Sequence, residues 1–277
     1  MTGPWYWDAL HGRGTRFGHA GAMLHVETTG EGARLVLLHG FTQNARCWGR
    51  FGADIGRSHE AVFVDLPGHG ESGHDSATLE EAAALVAEVG GRGTYLGYSL
   101  GGRVALHVAI RFPELVERLV LIGATAGLRT DGERQARIQA DEALASSIES
   151  DGLDEFLTRW LAQPLFAGLT DEAASLPQRR ANRAEAMTTS LRSVGTGRQA
   201  DLWPALDQIG CPTLVVTGAA DAKFTAIGQE MRQEIGMCAE LVVLDSVGHS
   251  VHLEAPQRTC ALLRDWLDRT ERRNMRS

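Results

Sequence analysis

Gly97-Tyr98-Ser99-Leu100-Gly101 sets a serine between two glycines, each two residues away. The apolar run at 94–98 reads as a strand and the stretch from Leu100 as a helix, the context in which G-x-S-x-G forms a nucleophile elbow. On so sharp a turn, side chains two residues either side of the serine would strike backbone, which calls for glycine there. The turn exposes the Ser99 hydroxyl with a helix N-terminus behind it, where partial positive charge favours an anion. A serine hydroxyl alone is a poor nucleophile and a poor base, so a histidine with an orienting carboxylate must follow, in the order Ser, Asp, His. Asp221, closing Thr217-Gly218-Ala219-Ala220-Asp221, and His249, in Val247-Gly248-His249-Ser250, satisfy that order. Each falls just past an apolar run, on the edge of an open sheet where ligands gather.

Two rival acids, Asp65 and Asp245, also follow apolar runs. Asp65 belongs to a Gly/Pro turn suited to organising a loop, and Asp245 is too close in sequence to His249 to buttress it. The remaining histidines, His252 included, read as solvated or hydrogen-bonded structural residues. In elbow geometry one oxyanion donor is the backbone N–H of Leu100; the second comes from the loop after an earlier strand, here Phe41 in His39-Gly40-Phe41-Thr42. His39 reads as a brace for that loop. Arg103 lies one turn after Ser99, where it reads either as a helix-surface arginine paired with an acid or, with the other arginines nearby, as one expected to face the pocket. Arg134, Arg137, Arg179, Arg180, Arg183 and Lys223 supply further positive charge, part of it on solvated faces. Guanidinium groups around one cleft of an acidic protein suit a small polycarboxylate substrate, because arginine pairs bidentately with carboxylate.

These residues need a scaffold. Nearly continuous apolar runs at 35–38, 61–66, 94–98, 119–123, 213–218 and 240–244 read as strands covered on both faces, with antiparallel edge structure near 22–28. Helices are expected at 79–89, 100–112, 226–235 and 256–270. The result is an α/β fold: a mostly parallel sheet of about eight strands with helices on both faces. The rhythm breaks between 125 and 206, where 133–150, 153–162 and 177–191 read as helices with glycine joints at Gly152, Gly168 and Gly195–Gly197. Residues 1–125 and 207–277 are thus expected to form the core domain, with 126–206 a helical lid inserted in it.

The 277 residues suffice for a full core. A net charge of -8 argues against nucleic acid as a partner. Cys47, Cys211, Cys238 and Cys260 show no C-x-x-C spacing, so they read as buried small apolar residues in a reducing compartment. No window approaches a membrane span and the first residues do not resemble a signal peptide, so a cytoplasmic location without membrane insertion is expected. Monomer and homo-oligomer both stay open. The tail 269–277 reads as a frayed end.

From His39-Gly40 to His249 these motifs resemble the α/β-hydrolase fold superfamily, which hosts many chemistries. More narrowly, the chain resembles the 2-succinyl-6-hydroxy-2,4-cyclohexadiene-1-carboxylate synthases of menaquinone biosynthesis. The resemblance rests on His39-Gly40-Phe41-Thr42 with Trp48, the elbow through Arg103, Glu133-Arg134 leading to Asp141, and Phe156-Leu157-Thr158-Arg159-Trp160. It continues at 190–199, Leu202-Trp203 and Asp221-Ala222-Lys223-Phe224. The chain departs from that family at Arg137-Ile138, where consecutive arginines are frequent, and in the bulky loop 43–47. The resemblance implies a lyase that eliminates pyruvate from a 5-enolpyruvyl precursor, with Ser99, His249 and Asp221 acting as base and no metal or organic cofactor. It further implies Arg103, Arg134 and Arg179 as carboxylate clamps, Tyr98 and Trp160 as pocket walls and Lys223 at the site. A serine hydrolase of an ester or carbon–carbon bond is the alternative enzyme. A catalytically silent binding module is the alternative outside enzymes, disfavoured by the intact Ser, Asp and His.

Overall fold

In a computed structural model describing residues 15–17, 24–73 and 76–274, eight strands form one sheet: β1 (Thr15–Phe17), β2 (Leu24–Thr29), β3 (Arg34–Leu38), β4 (Glu60–Val64), β5 (Gly93–Tyr98), β6 (Val116–Ile122), β7 (Thr213–Gly218) and β8 (Ala239–Leu244). The order is β1-β2-β4-β3-β5-β6-β7-β8. β2 is antiparallel to β1 and β4, and every other pairing is parallel. The apolar runs of β3, β5 and β7 are buried because helices cover both faces.

The helices are α1 (Gly49–Ile55), α2 (Leu79–Gly90), α3 (Leu100–Arg111), α4 (Asp131–Asp151), α5 (Leu153–Leu161), α6 (Asp171–Ala174), α7 (Leu176–Arg179), α8 (Ala184–Val194), α9 (Ala222–Ile235), α10 (Val251–Glu254) and α11 (Pro256–Asn274). On one face, Phe51 and Ile55 of α1 and Leu263 and Trp266 of α11 pack on Leu35, Phe63 and Val120. On the other, Val86 of α2, Val104 and Val108 of α3 and Met231 of α9 pack on Val36, Leu38 and Val215. Helix α4 starts at a capping box in which Thr130 and Glu133 satisfy each other's backbone N–H groups. Between β6 and β7, helices α4, α5 and α8 gather a separate cluster of Ala145, Ile148, Phe156, Leu157, Met187 and Leu191, against which Phe41 and Trp160 pack. No described helix is long and apolar enough to cross a membrane.

Several expectations need correction. The edge strand runs Leu24–Thr29, and residues 22 and 23 lie outside the described residues. The single helix expected over 177–191 is two, α7 and α8, because Asn182 sends its side-chain amide to the Arg179 carbonyl (3.1 Å) and competes with the helix ladder. Helix α1, rich in glycine and poor in propensity, exists because Phe51 and Ile55 are buried. The tail is helical to Asn274, with Arg269 bonded to Glu240 and Asp265; residues 275–277 lie outside the described residues. All four cysteines are free, but only Cys47 and Cys260 are buried, and Cys238 is exposed.

Candidate active site

Ser99 stands between β5 and α3 with φ 51° and ψ -106°, a conformation rare for any residue but glycine. Its N–H donates to Ile122 O (2.9 Å), and the Gly101 N–H donates to His39 O (3.0 Å), so the bend is tied to β6 and to the loop after β3. The flanking glycines are obligatory for the reason the motif predicts. A Cβ at Gly101 would lie 1.9 Å from Leu38 O, and one at Gly97 would lie 2.3 Å from Gly101 O.

Asp221 follows β7 as the N-cap of α9, accepting the Phe224 N–H (3.1 Å) and bonding His249 Nδ1 through its other oxygen (2.7 Å). Burial pushes the Asp221 carboxyl up, but the His249 and Phe224 hydrogen bonds outweigh it and hold the group below the usual carboxylate range. His249 is buried after β8, against Tyr98 and Phe224, with ring centroids 5.4 and 4.4 Å away. With Nδ1 engaged by Asp221, Nε2 is left for chemistry. Ser99 and His249 line one cavity of about 380 Å³. Among the described residues no hydrogen bond joins the hydroxyl to the imidazole.

Phe41 and Leu100 line the same cavity. Leu100 opens α3, so its N–H has no partner within the helix. Among the described residues the Phe41 N–H makes no hydrogen bond. His39 braces this loop, its Nδ1 facing Gly40 O (2.8 Å) and its Nε2 accepting the Leu66 N–H (3.0 Å). Asp65 organises the neighbouring turns through His25 and the N–H groups of Ala45 and Glu71.

The cavity also meets two buried guanidinium groups that pair with no carboxylate among the described residues. Arg103 is 8% exposed, and its one hydrogen bond runs to Gln199 Oε1 at 3.4 Å. Burial, with Arg137 nearby and Asp141 opposing, pulls it down to about 9. Arg179 is 1% exposed, bonded only to neutral oxygens: Ala174 O at 2.7 Å, Phe41 O at 3.5 Å and the Thr42 hydroxyl. Tyr98, Trp160 and Lys223 line the cavity as well, Tyr98 with its hydroxyl on Ser250 Oγ (2.6 Å) and Trp160 with an unpartnered buried indole N–H.

Arg134 is not brought to the cavity. It folds back on its own helix start, donating to Leu128 O (2.6 Å) and Asp131. Arg137, one turn later, takes the wall position and holds Asp141 at 2.8 Å. His252 is neither solvated nor, at Nδ1, hydrogen-bonded: it is packed among Trp48, Phe51 and Tyr98, and burial drives it down to about 3.

Two residues escaped the sequence reading. Gly123, just after β6 with φ 54°, lets the histidine approach, since a Cβ there would lie 2.8 Å from His249 Cε1. Glu254 accepts the N–H groups of Gly248 (2.6 Å) and Ser250 (3.0 Å), one on each side of His249. A glycine ending a central strand was the legible signal for the first; nothing local marks the second. Among the described residues no group of three or more His, Cys, Asp or Glu side chains could hold a metal ion.

The sheet and its helices agree with the wider comparison: residues 35–262 match the alpha/beta hydrolase family, and the chain belongs to it as an enzyme of that superfamily. Within the superfamily the similarity is narrower. A Bacillus subtilis (strain 168) protein that bears the name 2-succinyl-6-hydroxy-2,4-cyclohexadiene-1-carboxylate synthase provisionally is 34% identical over 238 residues, 80% of this chain and 86% of that one. An Enterobacter sp. (strain 638) protein of the same name is 32% identical over 237 residues, 83% of this chain and 89% of its own. The solved structure of MenH from S. aureus superposes with a TM-score of 0.83 at 26% identity, covering 91% of this chain and 100% of that one.

Proposed function

We propose that this enzyme is a carbon–oxygen lyase of menaquinone biosynthesis. It eliminates pyruvate from 2-succinyl-5-enolpyruvyl-6-hydroxy-3-cyclohexene-1-carboxylate to give 2-succinyl-6-hydroxy-2,4-cyclohexadiene-1-carboxylate, the product named for its relatives. One observation carries the reading: Arg103 and Arg179 are buried, without carboxylate partners among the described residues, on the wall of the cavity that holds Ser99 and His249. A buried unpaired cation is costly, and a polycarboxylate ligand supplies what the protein withholds.

In this mechanism Asp221 orients His249, and Ser99, relayed through His249, removes the ring proton beside the succinyl ketone. Charge builds on the conjugated carbonyl and is received by the N–H groups of Phe41 and Leu100. The electron pair returns to form a ring double bond, the existing double bond shifts, and the C–O bond to the enolpyruvyl group breaks. The departing enolate takes a proton and leaves as pyruvate. Tyr98 and Trp160 wall the ring, while Lys223 adds positive charge near the histidine. Residues 126–206 act as a lid on the core formed by 1–125 and 207–277. A small-molecule enzyme of this kind belongs in the cytoplasm, as the sequence leads one to expect.

The test couples pyruvate release from the enzymatically made precursor to lactate dehydrogenase. Wild type should turn over, and Ser99→Ala should lose roughly a thousandfold or more. Arg103→Ala should lower kcat/KM by about a hundredfold. Absence of pyruvate with wild type, together with a burst and a trapped acyl-enzyme at Ser99 from an activated ester, would establish a hydrolase instead.

A further inference from the structure

Helix α8 carries four hydroxyl side chains, and three bond back to the helix in the usual way. Thr188 and Thr189 donate to Glu185 O at 2.7 and 2.9 Å, and Ser193 donates to Thr189 O at 2.8 Å. Ser190 does not. It is 1% exposed, its Oγ has no hydrogen-bond partner among the described residues, and it stands on the cavity wall with Leu191 and Val194 of the same helix face. Alanine would fill this place in a helix at least as well and leave nothing unpaired.

The neighbouring residues define the chemistry of this part of the cavity. Beyond the C-terminal end of α8, Gly195 abuts Asp141: a Cβ at Gly195 would lie 2.4 Å from Asp141 Oδ2. Asp141 belongs to the charged group of Arg137 and Arg103 at that end of the cavity. In the other direction Leu191 packs with Phe156, Phe41 and Trp160. Ser190, one helical turn from Val194, therefore lines the same cavity as the buried Arg103 and the aromatic Trp160.

We infer that Ser190 is a substrate-binding and specificity-determining residue. Its hydroxyl donates to an sp² oxygen, carboxylate or ketone, on the anionic chain of the ligand whose charge Arg103 takes. This rests on the polycarboxylate reading of the same cavity, so the experiment separates the two. The binding arm titrates wild type and Ser190→Ala calorimetrically with 4-oxo-4-phenylbutanoate and with 4-phenylbutanoate, which lacks the ketone. The substitution should weaken the keto acid about five- to tenfold while the thermal midpoint holds or rises. A loss confined to the keto acid assigns the bond to the ketone, and a loss with both acids assigns it to the carboxylate. Unchanged affinity for the keto acid, or no binding of it by wild type, overturns the inference whatever the lyase assay yields. The kinetic arm measures pyruvate release. If wild type releases it, Ser190→Ala should raise KM by the same factor with kcat within about twofold. If wild type releases none, the lyase reading fails, and the binding arm still decides Ser190.

Discussion

Glu254 illustrates how the loop that carries the proposed catalytic histidine is held by a side chain bonded only to backbone. Both of its carboxylate oxygens are occupied by backbone donors, one before and one after His249, so the loop is pinned at the imidazole. The Tyr98 hydroxyl holds the same loop from within through Ser250. Glutamine in this place keeps one acceptor and turns an NH₂ toward the second N–H, which loosens the loop without removing bulk. For Glu254→Gln we expect kcat to fall about tenfold with KM within twofold, because orientation is lost and ligand contacts are not. Steady-state pyruvate kinetics read this directly, and a matching rise in KM would show that Glu254 shapes the ligand pocket rather than the histidine. The elbow serine, the histidine and its aspartate were legible as a spaced motif. Glu254 was not, since its partners are backbone groups that only the folded loop presents.

At the scale of elements, the break between α7 and α8 is the informative feature. Asn182 lies there, buried, with its amide donating to Thr42 O (2.7 Å) and its oxygen accepting the Gly70 N–H (2.7 Å). Asn44 answers from the other side by donating to Gln178 O (2.7 Å). The helical segment is thereby stitched to the loops that follow β3 and β4, and Thr42, with φ 67°, is held next to Phe41, the proposed oxyanion donor. Asn182→Ala leaves buried backbone groups unpaired, so we expect a loss of about 1–3 kcal/mol in unfolding free energy. Activity should also fall, because the Phe41 N–H is no longer fixed. Chemical denaturation and turnover on the same sample measure both, and an unchanged denaturation midpoint would remove Asn182 as the stitch. The helical nature of this region was readable from its periodicity. Its interruption was not, because the local bond from Asn182 to Arg179 O is held in place by partners more than a hundred positions away, Thr42 and Gly70.

Across the whole molecule, buried histidines set a dependence on pH. Burial drives His69 and His252 down to about 3 and lowers His39 as well. Unfolded, each takes a proton near its ordinary pKa of 6.5; folded, it refuses one. Stability from such a group is complete above pH 6.5 and is lost as pH falls toward the folded value, at up to about 1.4 kcal/mol per unit for each histidine. His25, raised by its bond to Asp65, works in the opposite sense but is a single group. We expect the thermal midpoint to drop by about 5 °C or more between pH 7.5 and pH 5.5. The slope should shrink in His252→Phe, whose ring can pack among Trp48, Phe51 and Tyr98 without titrating. A flat midpoint over that range in wild type would contradict the burial argument.

By itself the sequence determined the fold class and the order and spacing of Ser99, Asp221 and His249. Strand runs, elbow glycines and strand-end positions are local patterns whose physics acts over a few residues. Arg103 was expected at the pocket from its spacing after Ser99; tertiary structure alone decided which of the other arginines face the cavity. Arg134 is captured by its own helix cap, while Arg103 and Arg179 are drawn inward by surfaces distant in the chain. Side-chain direction on a helix follows from what packs against it, and no stretch of sequence carries that information alone.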